Sequence, residues 1–148
     1  MPINSEVKNN NFTPEAINFF LNLLKTFINN GKFTIPRDDK KAENILNAKF
    51  ISDYKISSKR LKEIILSIDR KDFRYVNKIY NNTGEYIEKT SYVFLKKRML
   101  CYSREPEEIR FLVKIHIEKI QNISDYFAVI YFEPEYKNPN SDINPKPP

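Results

Sequence analysis

Residues 109–117 alternate between apolar and polar side chains, and this pattern constrains the fold more than any other feature of the chain. The apolar side chains occupy every second position: Ile109, Phe111, Val113, Ile115 and Ile117. The positions between them carry Arg110, Lys114 and the only histidine, His116, with Leu112 as the one apolar exception. Because successive side chains of a strand point to opposite faces, the pattern predicts a half-buried β-strand. One face enters a core, and the other carries two cations and an imidazole.

The scarcity of glycine and cysteine excludes several classes of site. The 148 residues include two glycines, so Walker-type loops and GxGxxG turns are absent. Cys101 is the single cysteine, so no internal disulfide can form and no zinc-type cluster of cysteine and histidine exists. We therefore expect a reducing compartment, no bound metal and no small-molecule cofactor.

No segment has the composition of a targeting or membrane sequence. Residues 1–11 are polar and rich in asparagine, unlike a signal peptide, and no apolar run approaches the roughly 20 residues of a membrane span. We expect a cytoplasmic protein with no membrane partner. Its predicted organisation is a flexible leader at 1–11, a single α+β domain at 12–136 and a disordered tail rich in proline and asparagine at 137–148.

The net charge is +6, from 25 lysines and arginines against 19 aspartates and glutamates. A basic domain attracts polyanions through long-range Coulomb forces, which favours nucleic acid as a partner. The same surplus also fits a protein whose charge only keeps it in solution, so both explanations stay open.

Helical patterns come first along the chain. Thr13 as a cap and Pro14 at the first helical position open a helix that stops at Gly31. A second, short helix is predicted over residues 38–49, burying Ala42, Ile45 and Leu46. A third begins at Ser57 or Ser58 and carries an apolar stripe from Leu61 to Ile68.

Strand patterns follow the helices. Predicted strands cover residues 86–89, 92–102, 109–118 and 126–132, with turn residues between them. Segregated helices and strands indicate an α+β protein. We predict N-terminal helices packed on one face of a C-terminal antiparallel sheet of three to four strands, with the opposite face open to solvent or a ligand.

The open face would collect the groups that RNA cleavage without a metal requires. The candidate catalytic residues are Arg110, Lys114 and His116 on the central strand and Tyr131 and Glu133 on the last strand. One group takes the proton of the 2′-hydroxyl, cations stabilise the phosphorane-like transition state, and an acid protonates the leaving 5′-oxygen. RNA supplies its own nucleophile, so this reaction needs no cofactor.

The preceding strand supplies the candidate RNA-binding residues, which are Tyr92, Lys96, Lys97 and Arg98. Lys96 and Arg98 share a side with Tyr92, but both sides of this strand mix apolar and basic residues, so the pattern leaves open which side faces outward. Tyrosine rings can stack on bases, and lysine and arginine can hold phosphates.

Each candidate also has a structural explanation. A lone histidine such as His116 on a strand face is more often a surface residue than a catalyst. The basic run at 96–98 can protect an edge strand from aggregation. Most tyrosines can lie at the boundary of the core, and Glu133 before Pro134 can mark the end of a strand.

Several segments together resemble the MqsR-like toxins of bacterial type II toxin–antitoxin systems. The resemblance covers about residues 20–136 and consists of the order and pattern of its segments. They are Gly-Lys-Phe at 31–33, Pro-Arg at 36–37, the helix at 61–68 with Asp72-Phe73 after it, the strands at 92–97 and 108–115, and the closing segment at 131–136.

This resemblance implies a RelE-like fold, endonuclease activity on mRNA and an antitoxin protein as partner. Three positions depart from the family: Arg110 stands where it has tyrosine, Leu112 where it has lysine, and Glu133 where many relatives have histidine. The cations that remain are Lys96, Lys97 and Lys114.

Three functions follow, in this order. The first is a toxin-type, metal-independent endoribonuclease that cleaves mRNA and is neutralised by an antitoxin. The second is a noncatalytic RNA- or DNA-binding module, which would bind with strong salt dependence and cleave nothing. The third is a protein-interaction module that uses the open sheet face and has no affinity for nucleic acid.

Overall fold

The computed structural model describes residues 5–80, 86–102, 104–119 and 125–135. These residues form an α+β structure, as the order of patterns predicts. The helices are α1 (Pro14–Asn29), α2 (Ala42–Asp53) and α3 (Ser58–Leu66), followed by a short 3-10 helix at Arg70–Asp72. The strands are β1 (Ser5–Asn9), β2 (Phe33–Thr34), β3 (Phe73–Tyr80), β4 (Tyr86–Cys101), β5 (Pro106–Lys119) and β6 (Tyr126–Pro134).

The first and third helices begin at the caps that the sequence predicts. The Thr13 hydroxyl accepts a hydrogen bond from the amide of Ala16 at 3.1 Å, and the Ser57 hydroxyl accepts one from Arg60 at 3.1 Å. The backbone at Gly31, after α1, has φ of 71°, a left-handed conformation that side chains with a Cβ rarely adopt. Glycine therefore suits the end of this helix. None of the helices in the described ranges is long and apolar enough to cross a membrane.

The second helix turns a different side inward from the one predicted. Ile45 and Leu46 are exposed, whereas Asn44, Asn47 and Phe50 are buried. The reason is a set of hydrogen bonds to the sheet that compensates for burying the polar side chain of Asn47. Its amide group donates to the carbonyl of Ile130 at 3.0 Å, and its Oδ1 accepts from the amide of the β6 residue two positions later at 2.6 Å.

This contact explains how a two-residue strand can end the sheet. Because β2 pairs with β6 only at Ala128 and Val129, later backbone groups of β6 lack a neighbouring strand on that side. Asn47 satisfies two of them and also donates to the carbonyl of Pro36 at 3.0 Å. The helix thus takes the place of further strand pairing.

The sheet has six strands in the order β1-β3-β4-β5-β6-β2. Three of its middle strands, β4, β5 and β6, form the antiparallel meander that we predicted, and β4 joins the predicted strands at 86–89 and 92–102 into one. The predicted count of three to four antiparallel strands is wrong, because β3 was missed, β1 pairs with β3, and β2 adds a parallel edge to β6.

The first strand lies in the segment predicted to be a flexible leader. β1 pairs antiparallel with β3 along its whole length, and the ammonium of Lys8 lies 4.9 Å from the centre of the Tyr75 ring. An edge strand is held mainly by backbone hydrogen bonds, which a polar sequence can make as well as an apolar one. The predicted tail at 137–148 lies outside the described residues.

The buried apolar residues of the three helices all belong to one core on one face of the sheet. Phe111, Val113 and Ile115 of β5 are fully buried there, as the alternation predicts. The Phe50 ring of α2 lies 5.1 Å from Phe111 and 5.7 Å from Phe132, measured between ring centres. Each such buried side chain contributes about 1.5–3 kcal/mol, so this face carries most of the stability of the domain.

Candidate functional site

The five candidate catalytic residues lie together on the sheet face opposite the helical core. Arg110, Lys114 and His116 alternate with the core residues of β5, and Lys114 is directly opposite Tyr131 of β6. Glu133 is opposite the intervening Leu112, so it lies on the same face. Strand alternation therefore brings the whole predicted set onto two neighbouring strands.

Each cation of this set has a carboxylate partner. Arg110 contacts Glu135 at 2.9 Å, and Lys114 contacts Glu133 at 2.5 Å. Both pairs are partly exposed, so each contributes at most about 1 kcal/mol to stability. Their main effect is to hold the side chains in defined positions and to compensate the positive charge of the face.

The histidine is paired with a glutamate that the sequence analysis did not single out. His116 Nε2 lies 2.6 Å from Glu118 Oε2. The imidazole side chain is 5% exposed, whereas the glutamate side chain is 49% exposed. Glu118 is therefore the solvent-facing member of the pair. Its position two residues after His116 on the same strand was the signal that could have identified it.

Tyr131 completes the cluster. Its ring stacks near the imidazole of His116, with 6.1 Å between ring centres and 25° between planes. Burial raises the pKa of Tyr131 to about 12, with smaller contributions from Glu43, Glu118 and Asp38. The phenol therefore keeps its proton at neutral pH, so it is available as a proton donor and not as a base.

Apolar side chains lie beside these charged groups. Val93 of β4 is opposite Lys114, and Leu95 is opposite Leu112. Both Val93 and Leu95 are buried. The predicted face is therefore open only in part: its middle is buried, and the accessible charged groups surround that middle.

The candidate RNA-binding residues are split between the two faces. Tyr92 lies on the helical side, where its ring stacks on Phe20 with 3.8 Å between ring centres, and burial raises its pKa. Lys96 is also on that side and is almost fully buried. Its ammonium contacts Asp72 at 2.8 Å and the carbonyl of Ser67 at 3.3 Å. These two residues belong to the packing between helices and sheet.

The other two candidates, Arg98 and Lys97, lie on opposite faces of the sheet. Arg98 points to the helical side, where it donates to the Ser67 hydroxyl at 2.5 Å. Lys97 is opposite Arg110 in the register and is exposed. Of the four predicted RNA-binding residues, Lys97 alone therefore joins the face that carries the candidate catalytic set.

Within the described ranges, no three His, Cys, Asp or Glu side chains are grouped closely enough to hold a metal ion. The chemistry that the face offers is proton transfer by Glu118 and Tyr131, orientation of Glu118 by His116, and charge stabilisation by Lys114 and Arg110. Comparison of the chain with protein-family models, curated proteins and solved structures finds no match. The resemblance to MqsR-like toxins therefore stays a prediction from sequence.

Proposed function

We propose that this protein is a toxin-type, metal-independent endoribonuclease that cleaves mRNA. The observation that carries the proposal is the contact of 2.6 Å between His116 and Glu118, beside Lys114 and Tyr131 on one sheet face. A carboxylate that is oriented by an imidazole and open to solvent is suited to proton abstraction. An adjacent ammonium and phenol are suited to binding a phosphate.

In the proposed reaction, Glu118 accepts the proton of the 2′-hydroxyl while that oxygen attacks the neighbouring phosphorus. His116 holds the Glu118 carboxylate in position through their contact of 2.6 Å. The imidazole is too buried to touch the RNA itself. The phosphate replaces Glu133 at the Lys114 ammonium, which stabilises the charge of the transition state. Tyr131 donates a proton to the leaving 5′-oxygen as the bond from phosphorus to that oxygen breaks.

The choice of mRNA as substrate and of an antitoxin as protein partner comes from the resemblance to MqsR-like toxins. That resemblance also suggests a RelE-like arrangement of the sheet. The substrate, the partner and the sheet arrangement are all supported by the order of sequence segments between residues 20 and 136, and all three are part of the proposal.

The direct test is incubation of the purified protein with a mixed-sequence RNA in EDTA. We expect cleavage that leaves a 2′,3′-cyclic phosphate, because the 2′-oxygen is the nucleophile. Glu118→Gln should slow cleavage about 100- to 10,000-fold, the usual effect of losing an acid–base group. Lys25→Ala, which removes an exposed lysine of α1, is the control and should cleave at the wild-type rate. Intact RNA with the wild-type protein would refute the proposal.

A second candidate is a noncatalytic RNA-binding module. It is favoured over catalysis by the burial of His116, because a buried imidazole cannot exchange a proton with RNA directly. This candidate predicts RNA binding that weakens steeply with salt, together with no cleavage product in any of the variants above.

A further inference from the structure

A cleft of about 500 Å³ lies between the segment that follows α1 and the start of α3. Its apolar lining comes from Phe33, Ile35 and Leu61, and its charged lining from Arg37, Lys59 and Lys62. The volume is in the range of sites that bind small organic molecules. The cleft shares no lining residue with the candidate catalytic set.

The charged lining is entirely positive. Arg37, Lys59 and Lys62 are exposed, and no carboxylate lines the cleft. Within the described ranges, none of the three has an acidic partner within 4.0 Å, unlike Lys96, Arg110 and Lys114.

Two carboxylates adjoin these cations in sequence: Glu63, after Lys62, does not line the cleft, and Asp38, after Arg37, is engaged elsewhere. Asp38 accepts hydrogen bonds from the amide of Lys40 at 2.9 Å and from the side chain of Asn44 at 2.8 Å. These bonds hold the pKa of Asp38 below its ordinary value, so it stays ionised and tied to the start of α2. Three uncompensated cations around one concave surface favour a ligand with negative charge.

The apolar lining points to the rest of the ligand. Leu61, Phe33 and Ile35 line the cleft, and Leu61 is fully buried, while Phe33 and Ile35 are half-buried and keep part of their surface exposed. A flat, apolar group can lie against such a surface, and an aromatic base does so by stacking on the phenyl ring. Phosphate and aromatic base together describe a nucleotide.

We propose that this cleft is a nucleotide-binding subsite that holds one residue of single-stranded RNA. The base lies against Phe33 and Ile35, and the phosphate lies among Arg37, Lys59 and Lys62. The subsite adds an RNA contact on a different part of the molecule from the proposed catalytic face. The proposal concerns RNA binding only, so its test does not depend on whether the protein cleaves RNA.

The test uses the full chain and a fluorescently labelled five-nucleotide RNA with 2′-O-methyl groups. This RNA lacks the nucleophilic hydroxyl, so cleavage cannot affect the measurement, and failure of the nuclease proposal cannot be mistaken for failure of the subsite. Binding is followed by fluorescence anisotropy at several salt concentrations. The double variant Lys59→Ala/Lys62→Ala is compared with Lys25→Ala/Lys71→Ala, which removes two exposed lysines elsewhere.

We expect the cleft variant to raise the Kd about tenfold or more and to reduce the slope of log K against log salt by about 0.7 to 1, as the loss of one neutralised phosphate of a single strand requires. The control variant should keep the wild-type slope. Phe33→Leu keeps most of the side-chain volume and should weaken RNA binding about tenfold through lost stacking. Equal slopes for the two double variants, or wild-type affinity of Phe33→Leu, would overturn the proposal.

Titrations with two further ligands determine which kind of molecule the cleft binds. AMP titrated by calorimetry tests a free nucleotide, and inorganic phosphate tests the charge alone. RNA that binds much more tightly than either supports the subsite as stated. AMP that binds as tightly as RNA would make the cleft a mononucleotide site and overturn the RNA assignment. Phosphate that binds as tightly as AMP would reduce the cleft to a nonspecific anion patch.

Discussion

The ammonium of Lys96 lies 2.8 Å from the carboxylate of Asp72 and joins β4 to the 3-10 helix on the helical side of the sheet. The lysine side chain is 10% exposed and that of the aspartate 21% exposed. Asp72 also accepts a hydrogen bond from the amide of Asp69 at 3.0 Å. A residue that looks like an RNA-binding lysine in the sequence is therefore part of the connection between helices and sheet.

This pair predicts a stability effect of Lys96→Ala. Removing the ammonium leaves a mostly buried carboxylate without its cation and opens a cavity, so we expect the free energy of unfolding to fall by about 1–3 kcal/mol. Urea denaturation followed by circular dichroism measures the loss. Lys97→Ala, at the exposed neighbouring position, is the matched control and should change stability by less than about 0.5 kcal/mol. Equal stability of the two variants would contradict the structural role of Lys96.

The pattern of β5 predicted its two faces correctly because its apolar and polar residues alternate with one exception. The pattern of β4 did not, because Lys96 and Arg98 occupy positions on the same face as Tyr92 and Phe94. On the helical side, Lys96 forms an ion pair with Asp72, and Arg98 donates a hydrogen bond to Ser67. Both partners are distant in sequence. Such partners follow from tertiary structure, so the alternation alone could not assign the outward side of this strand.

The two edge strands of the sheet also could not be predicted from side-chain patterns. β1 is a polar segment held by pairing with β3, and β2 is two residues long. The predicted faces of α2 failed for a related reason, since Asn47 is buried by hydrogen bonds to the backbone of β6. The caps at Thr13 and Ser57 were predictable because a cap depends only on residues within one turn of helix.

The contacts of Asn47 predict a large cost for Asn47→Ala. The substitution leaves the Ile130 carbonyl and the Phe132 amide without their partner in a buried place, and each lost partner costs about 1–3 kcal/mol. We expect the free energy of unfolding to fall by about 3 kcal/mol in total. Asn44→Ala is the comparison, because the Asn44 side chain donates its hydrogen bond to the exposed carboxylate of Asp38, in the segment before α2, and not to the sheet. A smaller loss for Asn47→Ala than for Asn44→Ala would show that the bridge to β6 matters little.

The raised pKa of Tyr131 predicts a change of stability at alkaline pH. The folded protein holds this proton with a pKa of about 12, above the ordinary value of 10.0, so folding favours the neutral phenol. The stabilising contribution is therefore complete below pH 10 and is lost as the pH rises through 12. Wild-type stability should fall more steeply over this interval than that of Tyr131→Phe, as measured by urea denaturation at a series of pH values. Parallel curves would mean that the phenol titrates alike in the folded and unfolded chains.

Exchanging the charges of the ion pair between Lys114 and Glu133 distinguishes its contribution to stability from its proposed contribution to catalysis. Exchanging the two charges in Lys114→Glu/Glu133→Lys keeps an ion pair across β5 and β6, so stability should stay within about 1 kcal/mol of the wild type. The exchange moves the ammonium to the neighbouring strand and places a carboxylate opposite Tyr131, where the proposed reaction needs a cation for the phosphate. Cleavage of RNA in EDTA should then fall at least about 100-fold, the usual cost of losing a group that stabilises the transition state. The single variant Lys114→Glu serves as the control for charge repulsion, since it places two carboxylates side by side and should lose both activity and stability. A doubly exchanged protein that is stable and still cleaves at the wild-type rate would remove Lys114 from the mechanism.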